Sequence, residues 1–381
     1  MKTKIVHIIS NLSIGGAQLL LFDILKTLQS ETNYDITLIT IDSGFYKEKF
    51  TSAGINVIDI YSKGLVNPLI YLRLKKFLSA LKPHIVHTHL LKADFYGRLA
   101  AKRLGIKHIF STCHNDSTVH ITSVFSGEVI FNKIDNWVLK YSNSKIVAIS
   151  QNVKQYLLNR LDKNLHSRIK VIYNGIDIKK EEYILNDEEI KYFRNNLGFK
   201  VNDFVISVIG RLEEQKGHLP FLKSIIKLIP KFNLRIIFVG EGSKRKEIEK
   251  YVKEYNLEEN VILTGFQSQP EKFFEISDLV IVPSLWEGFG IVVCEAMIKN
   301  KIILASNVGG IPEIIDDGIT GFLYNLNDEK QMREKLEFII KNFSELKNIT
   351  SAAKKKVKEK FDIMKNSLNY SDYYKDTLNK L

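Results

Sequence analysis

Two carboxylates, Glu287 and Glu295, sit within the segment Pro283 to Met297. An apolar run, Leu279 to Val282, leads into it, and a helical pattern follows. Gly288 and Gly290 allow a tight turn and close approach of the backbone to a ligand. The helix start behind them offers free N–H groups and a positive dipole end, which suit an anion. Glu287 then falls in the loop. Glu295 falls about two turns into the helix, where a carboxylate can accept two hydroxyl hydrogen bonds, as a ribose diol requires. The plain alternative is a strand–turn–helix with unremarkable glutamates, and spacing alone leaves both readings open.

A second constellation is Gly210-Arg211-Leu212-Glu213-Glu214-Gln215-Lys216-Gly217, at the end of another apolar run. Arg211 and Lys216 in a glycine-flanked loop would neutralise a diphosphate. A solvated charged loop is the other reading. The P-loop pattern is absent. Gly15 and Gly16, after the first apolar run, form a turn of phosphate-binding character but lack Gly-x-Gly-x-x-Gly. That counts against a dinucleotide-dependent oxidoreductase. Val308 to Ile315 opens a short helix through Gly309-Gly310-Ile311-Pro312.

Histidines form the remaining set. His87 and His89 follow one run, and His114-Asn115 follows the next, opening a long polar loop from Thr112 to Gly127. His87 and His89 could hold a metal, but no third ligand accompanies them at obvious spacing. No Asp-x-Asp occurs, so a divalent-metal diphosphate site of that type is unsupported and no metal is expected.

These residues need elements to position them. The 381 residues favour two domains. Near-continuous β-branched runs at 4–10, 35–41, 84–87, 108–111, 145–149 and 169–172 alternate with helical patterns near 17–29, 68–80, 92–104, 126–141 and 151–162. This suits parallel strands covered on both faces. The rhythm restarts with strands at 204–210, 234–239, 260–264, 279–282 and 302–305, and helices near 218–229, 243–255, 290–299, 328–341 and 345–359. The expectation is two doubly wound α/β units in tandem. The polar stretch Tyr173 to Gly198 reads as the linker. Ligand would bind at the carboxyl ends of the strands, in a cleft between the units.

Composition narrows the classes. The net charge of +12 favours anionic partners, but no nucleic-acid-binding motif appears. Two distant cysteines, Cys113 and Cys294, give no disulfide framework. No apolar stretch approaches a membrane span, and the opening Ile5 to Ile9 is too short for a signal-peptide core. A cytoplasmic protein is expected.

Taken in order, Gly15-Gly16-Ala17, Val86-His87-Thr88-His89, Ala148-Ile149-Ser150 and Val171 to Asp177 are joined by Gly210-Arg211-Leu212, Lys216-Gly217 and Val239-Gly240-Glu241-Gly242. Gly265-Phe266, Glu287 through Glu295 and Gly309 to Glu313 complete the series. It resembles the GT-B glycosyltransferases of family 4, also called group 1. The match is thin over about 112–135, a region that in this family shapes the acceptor site. Gln18 stands where the family often has Glu, and Asn115 where Asp or Gly is frequent.

The resemblance implies a GT-B fold, two Rossmann-like domains facing a central cleft. An acceptor-side domain would cover 1–175 and a donor-side domain 176–360, with a helix at 361–381 packing back on the first. It implies retaining transfer from a UDP- or GDP-linked sugar to a hydroxyl of a glycan or lipid-linked acceptor, in bacterial surface-polysaccharide synthesis, without cofactor or metal. Glu295 would bind the ribose hydroxyls, and Glu287 the donor sugar. Arg211 and Lys216 would hold the diphosphate, approached also by Gly15 and Gly16. Gly210, Gly288, Phe289 and Gly290 would line the donor. His114 would stand beside the donor sugar and the reaction centre. Basic clusters such as Arg73, Lys75 and Lys76, or Lys92, Arg98, Lys102 and Arg103, could touch an anionic membrane, or be ordinary solvated faces. The rival readings are a nucleotide-sugar epimerase of the same fold and a non-catalytic partner of a transferase.

Overall fold

The computed structural model describes residues 2–62, 67–115, 127–179 and 184–379, with backbone only over 127–133. The chain divides into two compact units, one of residues 1–177 and 363–381, the other of 178–362.

The first unit holds seven parallel strands: β1 (Thr3–Asn11), β2 (Tyr34–Asp42), β3 (Asn56–Asp59), β4 (Ile85–His89), β5 (His108–Cys113), β6 (Lys145–Ala148) and β7 (Ile169–Val171). Their order across the sheet is β3-β2-β1-β4-β5-β6-β7. The central strands β1 and β4 are buried over most of their length. Both faces are covered, which is why their apolar runs do not alternate. The order reverses between β1 and β4, so the loops after those strands flank the point where doubly wound sheets take ligand.

The second unit repeats the plan with six parallel strands: β8 (Phe204–Ile209), β9 (Leu234–Val239), β10 (Val261–Gly265), β11 (Leu279–Val282), β12 (Ile302–Ser306) and β13 (Phe322–Tyr324). The order is β10-β9-β8-β11-β12-β13, and the reversal falls between β8 and β11. One core cluster joins Ile206, Val208, Ile236, Phe238, Ile281 and Leu304 to the helices on one face.

Three expectations change. The stretch read as a linker contains a helix, Asp187–Asn196. Its N-terminus is closed by a capping box in which Asn186 and Glu189 each accept the other's backbone N–H. The helix near 218–229 is two, His218–Ile225 and Leu228–Lys231. Two of the cations offered to a membrane are internal. Lys92 reaches Asp42 at 2.6 Å. Arg98 is buried, doubly bonded to Asp135 at 2.9 and 3.0 Å. Most of the loop Thr112–Gly127, and with it much of the region assigned to the acceptor, lies outside the described residues.

Candidate functional site

In the second unit the site grows from three loops at the carboxyl ends of β8, β11 and β12. Gly210 and Arg211 follow β8, Pro283 to Gly290 follow β11, and Asn307 to Gly310 follow β12. Main-chain bonds join them: Leu285 N–H donates to the Gln215 carbonyl at 2.7 Å, and Gly310 N–H to the Glu287 carbonyl at 3.0 Å. The Gln215 amide donates to the Trp286 carbonyl at 3.1 Å. Two glycines make this closeness possible. Gly217 and Gly309 both have positive φ, and a Cβ would run into the carbonyls of Pro283 and Glu287 respectively. A side chain there would be both strained and without room.

The clamp brings Lys216 and Glu287 together, 71 positions apart in the chain, as an ion pair. Ser284 Oγ adds a bond to the same carboxylate oxygen at 3.3 Å. Glu287 is therefore held by a cation and a hydroxyl. Arg211 is exposed, and its guanidinium has no hydrogen-bond partner among the described residues. Behind the loop the helix Ile291–Ile298 starts from Gly290, whose φ of 106° turns the chain. Glu295 lies on this helix and lines a small cavity with Pro270, Glu271, Phe274, Ile298 and Lys299.

The Phe289 ring turns away from the loop surface. It is 1% exposed and packs edge-on against Phe361, with ring centroids 5.4 Å apart. Its side chain supports the loop from beneath, so only its main chain can meet a ligand. A cavity of about 380 Å³ opens at the amino ends of β8, β9 and β10, lined by Asp203, Arg235 and Asn260 among others, and holds none of the expected residues.

In the first unit Gly15 and Gly16 end the loop after β1, and the helix Gly16–Glu31 begins there. Gln18 explains one departure from the family pattern. It is buried, and its amide donates to Asn11 Oδ1 at 3.0 Å, bracing the loop. A carboxylate has no proton to give there.

The histidines hold a residue that sequence spacing missed. His7 on β1 lies opposite His87 on β4 in the strand register. His7, His87 and His89 stack, with ring centroids 4.6 to 5.3 Å apart. Their ring nitrogens could draw together round a metal ion, all lying within 4.8 Å. All of those nitrogens but His7 Nε2 have other partners. His87 is bonded to Tyr374 Oη at 2.5 Å and Thr112 Oγ1 at 2.8 Å. His7 Nδ1 meets His89 Nε2 at 3.0 Å, and His89 Nδ1 meets His114 Nε2 at 3.4 Å. Burial lowers every ring: His7 to about 3, His114 to about 4, His87 and His89 well below the usual value. Neighbouring histidines add to the effect on the last two. The signal for His7 was available: strands alternate faces with period two, so residues 7, 87 and 89 can share one face.

Comparison with known proteins gives consistent results. Residues 14–180 match glycosyltransferase family 4, and residues 189–356 match glycosyl transferases group 1. An uncharacterized glycosyltransferase of Methanocaldococcus jannaschii, MJ1178, is 32% identical over 73% of this chain and 71% of its own length. The UDP-Gal:alpha-D-GlcNAc-diphosphoundecaprenol alpha-1,3-galactosyltransferase of Escherichia coli is 28% identical over 86% of this chain and 85% of its own. The crystal structure of Anabaena HepE in complex with UDP superimposes with a TM-score of 0.83 over all of both chains, at 22% identity.

Proposed function

Because this chain belongs to the group 1 glycosyl transferases and has their GT-B fold, we propose that it is a retaining transferase acting from a UDP-linked sugar on a hydroxyl of a glycan or lipid-linked acceptor in surface-polysaccharide synthesis. The observation that carries this reading is the Lys216–Glu287 pair, with exposed Arg211 on the same loop as Lys216, beside the reversal of strand order between β8 and β11. The similarity to a galactosyltransferase acting on a diphosphoundecaprenol-linked sugar supports the acceptor class.

When the sugar–oxygen bond breaks, negative charge grows on the leaving diphosphate. Arg211, Lys216 and the N–H groups opening the helix Ile291–Ile298 would meet that charge already in place. Glu295 would take the ribose hydroxyls. Glu287 would accept from hydroxyls of the donor sugar. Its ties to Lys216 and Ser284 suit a residue that orients the sugar, and they argue against a nucleophile of the kind retaining hydrolases use. The leaving phosphate oxygen would then take the acceptor proton on the same face of the sugar.

A panel of nucleotide sugars, with and without lipid-linked acceptor, tests the reading. Sugar transfer with nucleotide release is the expected result. Nucleotide release that needs no acceptor would point to an epimerase, and no turnover of any donor to a non-catalytic subunit. Turnover should persist after chelation with EDTA, because side chains and amides supply the positive charge; strict dependence on a divalent ion would overturn that part.

A membrane contact fits one surface of the first unit. Trp137 and Tyr141 are exposed and stack with parallel rings 5.3 Å apart, next to exposed Ile134. Lys102 and Arg103 stand 5.8 and 5.7 Å from the Tyr141 ring. Aromatic rings beside cations suit the headgroup layer of an anionic leaflet. No helix among the described residues is long and apolar enough to cross a membrane. Sedimentation with anionic vesicles at low salt should pull the protein down, and Trp137→Ala with Tyr141→Ala should weaken this about tenfold. Equal recovery with neutral vesicles would remove the idea.

A further inference from the structure

The buried histidines form a line with a direction. His7 Nδ1 faces His89 Nε2 at 3.0 Å, and His89 Nδ1 faces His114 Nε2 at 3.4 Å. His7 Nε2 is buried and has no hydrogen-bond partner among the described residues. His114 Nδ1 has none among the described residues, and His114 is only half-buried.

Burial keeps all three rings neutral near pH 7, so each carries one ring proton. Each bond between rings needs one donor and one acceptor. Only two arrangements satisfy both bonds. In one, every ring is protonated at Nδ1. His7 donates to His89, His89 donates to His114, and His114 presents Nδ1–H outward. In the other, every ring is protonated at Nε2, and His114 presents a bare Nδ1 lone pair. The second leaves the His7 Nε2–H buried without an acceptor. Orphaned buried N–H groups are rarer in proteins than under-satisfied acceptors, and an unmet buried donor bears its full desolvation cost. The buried end of the line therefore selects the first arrangement.

We propose that His7 and His89 are positioning residues that lock His114 in its Nδ1–H form, so that it meets substrate as a hydrogen-bond donor and not as a base. This rests on the reading that His114 stands at the reaction centre. Its ligand is an oxygen acceptor, a hydroxyl or carbonyl of the transferred sugar. His87 stays outside the line, since Tyr374 and Thr112 take both its nitrogens.

The test uses the full chain with ¹⁵N-labelled histidine and long-range ¹H–¹⁵N spectra at pH 7.5, which report the tautomer of each ring. The expected wild-type spectrum shows His7, His89 and His114 as Nδ1–H. His89→Leu should move His114 towards Nε2–H and lower kcat for the donor selected in the panel above about 10- to 100-fold. KM for that donor should stay unchanged. His89→Asn places an amide donor where Nδ1 was and should restore both tautomer and turnover. An Nε2–H His114 in the wild type would overturn the proposal, as would a His89→Leu variant that keeps the tautomer or loses it with kcat intact. His114→Ala is the separate control. If it turns over normally, the placement of His114 at the reaction centre fails, while the spectra still decide the line.

Discussion

Arg211→Ala is expected to lower turnover by about two to three orders of magnitude while leaving the thermal midpoint unchanged. The guanidinium is exposed and has no hydrogen-bond partner among the described residues, and nearby Glu213 keeps its bonds to Ser243 without it. What it removes is a charge set in place before the leaving diphosphate needs it. Lys216→Ala reads less cleanly, because it also leaves Glu287, 13% exposed, without its cation. Comparison of the two separates chemistry from architecture. Both should lose kcat, but only Lys216→Ala should lose stability. Turnover of Arg211→Ala within a few-fold of wild type would remove the diphosphate role from this loop.

The second large effect is acid lability. His7, His87, His89 and His114 all have folded pKa values far below the ordinary 6.5. The stability tied to their neutral forms is complete above about pH 6.5. It drains as pH falls toward the folded values, because the unfolded chain takes up protons that the native rings refuse. Asp94 opposes them. Burial raises its carboxyl to about 6, so between about pH 6 and 4 it is the folded chain that holds the extra proton. Burial lowers His218 to about 3 as well, so near pH 5 the balance is about four protons, a slope of at most about 5 kcal/mol per pH unit. Denaturant unfolding followed from pH 7.5 to 4.5 should show the midpoint falling steeply below pH 6.5. His7→Leu should flatten the fall by about one proton. A stability independent of pH between 7 and 5 would contradict the burial of these rings.

The strands that carry the site were legible because they are buried on both faces and read as continuous β-branched runs. β3 and β13 were not, being four- and three-residue strands at the sheet edges. The helix Asp187–Asn196 buries no residue fully, and its apolar stripe is short, with Ile190 and Phe193 packed against a core cluster. Asn186 and Glu189 announced it by their capping spacing, which the polar composition masked. The members of the site were nameable from loop position and residue type. Their pairing was not, since nothing in a spacing of 71 residues says that Lys216 meets Glu287. Which atoms of Phe289 face a ligand was not legible: in a glycine-rich loop an aromatic can face outward or anchor the turn, and here the core takes the ring.

The chain leaves the first unit at Asp177 and re-enters it at Ile363. The returning helix, Ile363–Leu378, places Tyr370 and Tyr374 against His87, with Tyr374 also against Phe110. A ribosome working from the first codon therefore delivers the closing piece of the first unit last. Until then its seven strands are complete, but the His87 face lacks its cover. The second unit, contiguous in sequence, can fold while the first still waits, against the usual order of N-terminal domains first. Chains truncated at residue 362 and released from the ribosome should accordingly resist protease in the second unit and be cut in the first.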